Sequence, residues 1–244
     1  MQVDETASPL ENHFALNKAQ LTYQRQHFSE KVDRGESLLP NYMVNAFYSP
    51  LGNMIYLPED ILNAPFFDSQ AKKGTNYGAL GSIIGHEMTH AFDPQGANYN
   101  ADGKFGIWWR LEDYQAFQKK TYEFIYQWDE LTLNGKQLQG KQYLQENIAD
   151  AGGLSVALEA YGKADLAFFE GYAKTYAAKQ TPENQEYLQR FDSHAPASLR
   201  VNQQLKNMDV FYEVYDIKKG MPCTYHQKNA SLFGKKESET VVPD

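Results

Sequence analysis

Two histidines and a glutamate stand close together in SIIGHEMTHAFDPQG, residues 82–96. His86 and His90 are four residues apart, about 40° on a helical wheel, so both imidazoles can address one ion. Glu87 lies between them and can reach the open side of such an ion. This is the H-E-x-x-H pattern. Its chemistry needs two neutral imidazoles on zinc and a carboxylate that takes a proton from the zinc-bound water. The competing reading is an inert core helix with two incidental histidines, which the flanking LGSII and AF would also suit.

Zinc in a hydrolytic site takes a third protein ligand and leaves the fourth place to water. The chain has a single cysteine, Cys223, which excludes a cysteine-based metal site and an internal disulfide framework. The third ligand must therefore be a histidine or a carboxylate. In QENIADAGGL, residues 145–154, Glu146 and Asp150 share one helical face. Such a pair is ordinarily a solvated face, but Leu144, Ile148, Ala149 and Leu154 around it would bury it. A dication relieves the repulsion, with Glu146 ligating it and Asp150 orienting a ligand imidazole. Gly152 and Gly153 let another helix approach closely, at about 1 kcal/mol each in helix propensity. A simple helix break is the alternative there.

Several elements must position these groups. Helical spacing runs from about His13 to Phe28, and Gly35 and Pro40 punctuate the loop that follows. Two β-rich runs, about Met43–Tyr48 and Asn53–Leu57, flank Ser49-Pro50-Leu51-Gly52 and read as a hairpin. Thr75 or Asn76 can cap the helix that carries His86 and runs to about Phe92, before Pro94 and Gly96 end it. Helices are then expected over Trp108–Tyr126, Leu144–Tyr161 and Asp165–Ala178, with a turn at Asn134-Gly135. A further start is marked by Thr181-Pro182-Glu183. The polar, aperiodic residues 222–244 are expected to be poorly ordered, leaving residues 1–221 as one domain.

With 244 residues, 42% of them hydrophobic, the chain can bury a real core. A formal charge of -8 argues against a nucleic-acid partner, which usually needs a concentrated basic surface. No segment approaches the roughly 20 apolar residues of a membrane span. The start, MQVDETASPLENHF, is acidic where a secretory signal is basic and then apolar. As written, the chain reads as cytoplasmic, with an extracellular or membrane-anchored parent left open.

VNAFY, GHEMTHAFD, ENIADAGGL and HAPASLRVN occur in an order and spacing that resemble the neprilysin family of zinc metallopeptidases. The likeness runs from about Leu16 to Gly220 and is greatest to bacterial oligopeptidase members. It implies an α+β fold: a mainly α-helical zincin-type catalytic domain with a small β-hairpin or sheet beside the H-E-x-x-H helix. It implies one zinc ion on His86, His90 and Glu146, Glu87 as general base, and Asp150 as partner of a ligand histidine. The implied activity is hydrolysis of peptide bonds in short peptides.

The resemblance further implies that Asn45 and Ala46 form an edge strand that binds the oligopeptide backbone. It places His194 at the oxyanion with Asp192 behind it, and Arg200 on a substrate carbonyl. Ile61, Phe66, Ile83 and Tyr176 would line a pocket for a large hydrophobic residue after the cleaved bond. Tyr172 and Tyr176 stand where tryptophans are common in the family. Family members are much longer, and a large helical N-terminal region closes over their catalytic part. Nothing in this chain corresponds to that lid. The alternative reading is therefore a zinc-binding but catalytically incomplete fragment that docks a missing helical domain or partner.

Overall fold

The computed structural model describes residues 4–31 and 39–218, and the chain divides into two units, Met1–Glu36 and Ser37–Asp244. The expected tail 222–244, the boundary at residue 221 and Cys223 lie outside the described residues.

In the first unit, α1 spans Pro9–Gln26. Its start precedes the expected one because Ser8 and Glu11 form a capping box, each side chain accepting the other's backbone N–H, with a proline opening the helix.

The second unit is mainly helical. Strands β1 (Phe47–Ser49) and β2 (Met54–Tyr56) pair antiparallel, with Phe47 opposite Tyr56 and Ser49 opposite Met54. They are shorter than the expected runs. Pro58 has no N–H to extend the ladder past Leu57, so 43–46 enter β1 without a strand partner. Next, α2 (Lys73–Asn76) passes through a π-helical turn (Tyr77–Gly81) into α3 (Ser82–Thr89). The expected cap at Thr75 or Asn76 is overturned, since both residues lie inside α2. Asn76 instead ties down the preceding connector, bonding the backbone N and O of Asp68 at 3.0 and 2.8 Å.

Helix α4 covers Leu111–Asp129. Strands β3 (Thr132–Leu133) and β4 (Lys136–Gln137) flank the expected turn, where Asn134 and Gly135 adopt φ of 53° and 73°. Helix α5 spans Leu144–Tyr161, matching the expected bounds, and Gly162 ends it in the left-handed region. Helix α6 (Leu166–Thr175) is capped by Asp165 and α7 (Pro182–Phe191) by Thr181. Two further helices, α8 (Ala197–Leu205) and α9 (Asp209–Val214), complete the described residues.

Helix α5 is the centre of this unit. Leu144 and Ile148 pack in one apolar cluster with Phe124, Trp128, Leu138, Tyr143 and Ala195. Leu154 and Ala157 pack in a second with Phe168, Phe169, Tyr172 and Leu205. A helix buried on most of its faces needs no amphipathic stripe, which fits its apolar composition.

Helix α3 crosses α5 at glycines. A Cβ on Gly153 would lie 2.5 Å from the Ser82 carbonyl oxygen and 2.6 Å from the His86 amide nitrogen. One on Gly85 would lie 2.7 Å from the Gly153 carbonyl oxygen. Close packing is therefore the reason for the glycines, and α5 runs through them unbroken. Among the described residues, no helix is long and apolar enough to cross a membrane.

Candidate metal centre

The backbone approach of α3 to α5 brings two pairs of residues face to face. From α3 come His86 and, at its C-cap, His90; from α5 come Glu146 and Asp150. The helix ends at Thr89 rather than Phe92, and the chain turns at once into Asp93.

Each histidine is held from behind by a carboxylate. His86 Nδ1 lies 2.8 Å from Asp150 Oδ1, and His90 Nδ1 lies 2.7 Å from Asp93 Oδ2. A carboxylate can only accept, so both Nδ1 atoms carry a proton, and in the neutral ring that binds a metal both Nε2 atoms present lone pairs. These lone pairs face each other at 3.0 Å. Glu146 Oε2 lies 3.3 Å from His86 Nε2 and 3.7 Å from His90 Nε2, and it is buried. Three lone-pair atoms within 4.8 Å of one another form a candidate metal-binding cluster. A buried carboxylate oxygen and two imidazole nitrogens turned toward one point are unfavourable together unless a cation, a proton or a metal ion, sits among them. The donor set, two imidazoles and one carboxylate, is one that zinc takes in hydrolytic sites.

The electrostatics favour positive charge here. Burial resists charging His86, but Asp150 and Glu146 outweigh it and push the imidazole up to about 9. Burial alone would also raise Glu146, yet its contacts with His194 and His86 hold it well below the usual carboxylate range. Proton and metal ion compete for the same electron pairs, so metal uptake releases protons.

Glu87 is buried beside the cluster, and this burial raises its carboxyl above the ordinary value despite the relief offered by His86 and His90. His194 presents Nε2 at 3.0 Å from Glu146 Oε2, and its Nδ1 lies 2.9 Å from Asp192 Oδ1. Its imidazole is raised chiefly by the bond to Glu146.

Asp150 forms the floor of the site. It is fully buried and receives Arg200 Nε at 2.8 Å and Nη2 at 2.6 Å, a two-bond clamp. Tyr176 donates its hydroxyl to the same carboxylate at 3.2 Å, and its ring lies 4.5 Å from the Arg200 guanidinium. Tyr172 donates to the Arg200 carbonyl oxygen at 3.0 Å. Burial alone would raise Asp150, but the charge and bonds of Arg200 hold it well below the usual range.

A cavity of about 580 Å³ opens over the cluster. It is lined by Asn45, Ala46, Ile61, Phe66, Ile83, His86, Glu87, His90, Glu146, Tyr176, His194 and Arg200. Every candidate site residue named from the sequence therefore lines one space, except Asp150, which reaches it through His86, and Asp192, which reaches it through His194. Sequence reasoning missed Asp93, which fixes His90 and accepts the backbone N–H groups of Gln95 and Gly96 at 2.7 Å each. Its signal was available: an aspartate three residues after His90, opening an Asp-Pro-x-Gly turn. Thr175, Gln95 and Gln145 also line the cavity and were not singled out.

Comparison with known proteins agrees with this geometry. The model of peptidase family M13 matches residues 45–231. The neutral endopeptidase of Lactococcus lactis subsp. lactis (strain IL1403) is 42% identical over 197 residues, covering 79% of this chain and 31% of that protein. The crystal structure of PepO from Lactobacillus rhamnosis HN001 superposes with a TM-score of 0.85 at 32% identity, covering 92% of this chain and 36% of that one. Zinc metalloprotease Zmp1 of Mycobacterium tuberculosis, solved with an inhibitor, gives a TM-score of 0.78 at 32% identity, covering 84% and 35%. The chain thus spans about a third of the length of the curated relatives it matches. The mainly helical fold with a hairpin beside the H-E-x-x-H helix is borne out, as is the likeness to neprilysin-type zinc metallopeptidases. The chain belongs to peptidase family M13.

Proposed function

We propose that the cavity is the active site of a zinc endopeptidase that hydrolyses bonds in short peptides, with one zinc ion held by His86, His90 and Glu146. The observation that carries this reading is the convergence of His86 Nε2, His90 Nε2 and Glu146 Oε2 beside the buried Glu87. The names of the similar neutral endopeptidase and zinc metalloprotease support it. The catalytic domain is read as residues 1–221, and all the site residues fall in its second unit.

Zinc, when bound, supplies a Lewis acid that acidifies water and polarises the peptide carbonyl. Glu87 takes the proton from the attacking water and returns it to the leaving amine; its raised affinity for a proton suits a base that must also act as an acid. His194, backed by Asp192, donates Nε2–H to the carbonyl oxygen as negative charge develops there. Asp150 is a positioning residue, setting the His86 ring and in turn held by Arg200. With Nε and Nη2 committed to Asp150, Arg200 has Nη1 left for a substrate carbonyl. Asn45 and Ala46, in the segment entering β1, pair with the peptide backbone as an added strand would. Ile61, Phe66, Ile83 and Tyr176 form the wall against which a large hydrophobic residue packs.

The short span relative to the curated relatives favours a second reading, in which the chain binds zinc but needs a helical lid or partner for turnover. Metal analysis combined with a peptide-library assay separates the two. Chelator-sensitive cleavage by the isolated chain supports the first reading, stoichiometric zinc without cleavage supports the second, and absence of zinc contradicts both.

A further inference from the structure

Gln95 and Gln145 meet across the wall of the cavity. The amide nitrogen of Gln145 lies 3.2 Å from the amide oxygen of Gln95 in a solvent-accessible bond, and both side chains line the space that holds the metal cluster. Gln145 immediately precedes Glu146 in the first turn of α5. Gln95 follows Asp93 by two residues in the turn that holds His90. The pair therefore joins the two elements that carry the cluster, beside the cluster itself.

A primary amide offers two donor hydrogens and a carbonyl acceptor. Once two amides spend one donor and one acceptor on each other, each keeps groups to spare: Gln145 its carbonyl oxygen, and Gln95 its amino group. That is one acceptor and one donor side by side, the complement of the N–H and C=O of an extended peptide backbone. Exchanging O and N in both side chains leaves the same pattern, so the match does not depend on how the amides are oriented. As a structural clasp the bond is weak, because water competes for every exposed polar atom.

We infer that Gln95 and Gln145 form a backbone-binding clamp for the peptide substrate, a second docking point beyond the segment at Asn45 and Ala46. This rests on the peptidase reading of the cavity. The clamp recognises main chain, so it sets affinity for an extended peptide whatever its side chains. The interactions are made equally in the bound substrate and during reaction, which places their effect on KM and leaves kcat little changed. Substitution spares the neighbouring machinery. The bonds from this turn to Asp93 come from the backbone N–H groups of Gln95 and Gly96, which an alanine at 95 retains.

The test measures binding, with turnover removed. Zinc-loaded Glu87→Gln protein is titrated with fluorescein-labelled seven-residue peptides, and with copies in which single backbone N–H groups are replaced by ester oxygen. Gln95→Ala and Gln145→Ala are then added singly and together. Each alanine is expected to weaken binding about tenfold, and the double variant little more than either alone. One ester position that weakens binding to the parent should cost nothing further in the variant that removes the accepting amide, Gln145→Ala or, with both amides exchanged, Gln95→Ala, a coupling that a merely structural clasp does not produce. Unchanged affinity in the double variant, or strictly additive losses at every ester position, would overturn the clamp and leave the peptidase reading standing. Failure of the parent protein to bind any peptide would overturn both.

Discussion

Arg200 grips Asp150 with two nitrogens, Nε on Oδ2 at 2.8 Å and Nη2 on Oδ1 at 2.6 Å, while Asp150 holds His86 at 2.8 Å. The orientation of a metal-facing imidazole is thereby set from α8, through a carboxylate buried on α5, to a ring on α3. Removing Arg200 leaves an uncompensated buried charge. Arg200→Met is expected to cost about 3–5 kcal/mol of stability and about 10–100-fold in zinc affinity. Denaturant titration and competitive zinc titration would check both.

The same pair gives a pH signature. Asp150 has a folded-state pKa well below its unfolded value, so its contribution is complete above the unfolded carboxylate range and is lost as pH falls toward the folded value. Asp150→Asn should therefore be much less stable than wild type at neutral pH, and the gap should narrow below about pH 4. Unfolding midpoints of the two proteins across that range measure it.

Asp93 should matter to the metal as Asp150 does. It fixes the His90 ring at 2.7 Å, so Asp93→Ala is expected to weaken zinc binding by about 10–100-fold. An Asp93→Asn protein keeps an acceptor for the Nδ1 proton and should lose less. Zinc affinities of the two variants, measured side by side, test the ordering.

Gly153 has no room for a methyl group, with the Ser82 carbonyl oxygen 2.5 Å from where Cβ would stand. Gly153→Ala should force α3 and α5 apart, cost about 1–3 kcal/mol, and weaken zinc binding by spreading Glu146 from the histidines. A variant with normal stability and normal zinc affinity would show that the crossing is looser than described.

How much of this was legible in the sequence follows from which signals are local. The bounds of α5 were readable because no proline interrupts residues 144–161 and a glycine closes them at 162, and the H-E-x-x-H and Glu146/Asp150 spacings specify shared faces directly. Helix α8 was not foreseen because its apolar row, Ala197, Val201 and Leu205, is short and its buried residues include Gln203 and Gln204, whose burial the sequence does not mark. Gln204 is accommodated by donating to the Asn147 carbonyl oxygen at 2.9 Å, a partner 57 positions away. The cap of α2 misled for a related reason: Asn76 satisfies Asp68 in the connector rather than its own helix end. Asp93 and the Arg200 clamp were missed because their effect depends on partners that only folding brings near.

In the proposed mechanism, His86, His90 and Glu146 hold a zinc ion beside a glutamate that moves protons. Comparing Glu87→Gln with wild type tests it most directly, by zinc content per chain and the rate of peptide cleavage measured on the same preparations. The expected result is one zinc per chain in both proteins, with cleavage reduced by about 10²–10⁴-fold in the variant. A variant that cleaves at the wild-type rate, or a wild-type protein that cleaves peptides with no zinc bound, would rule out this mechanism.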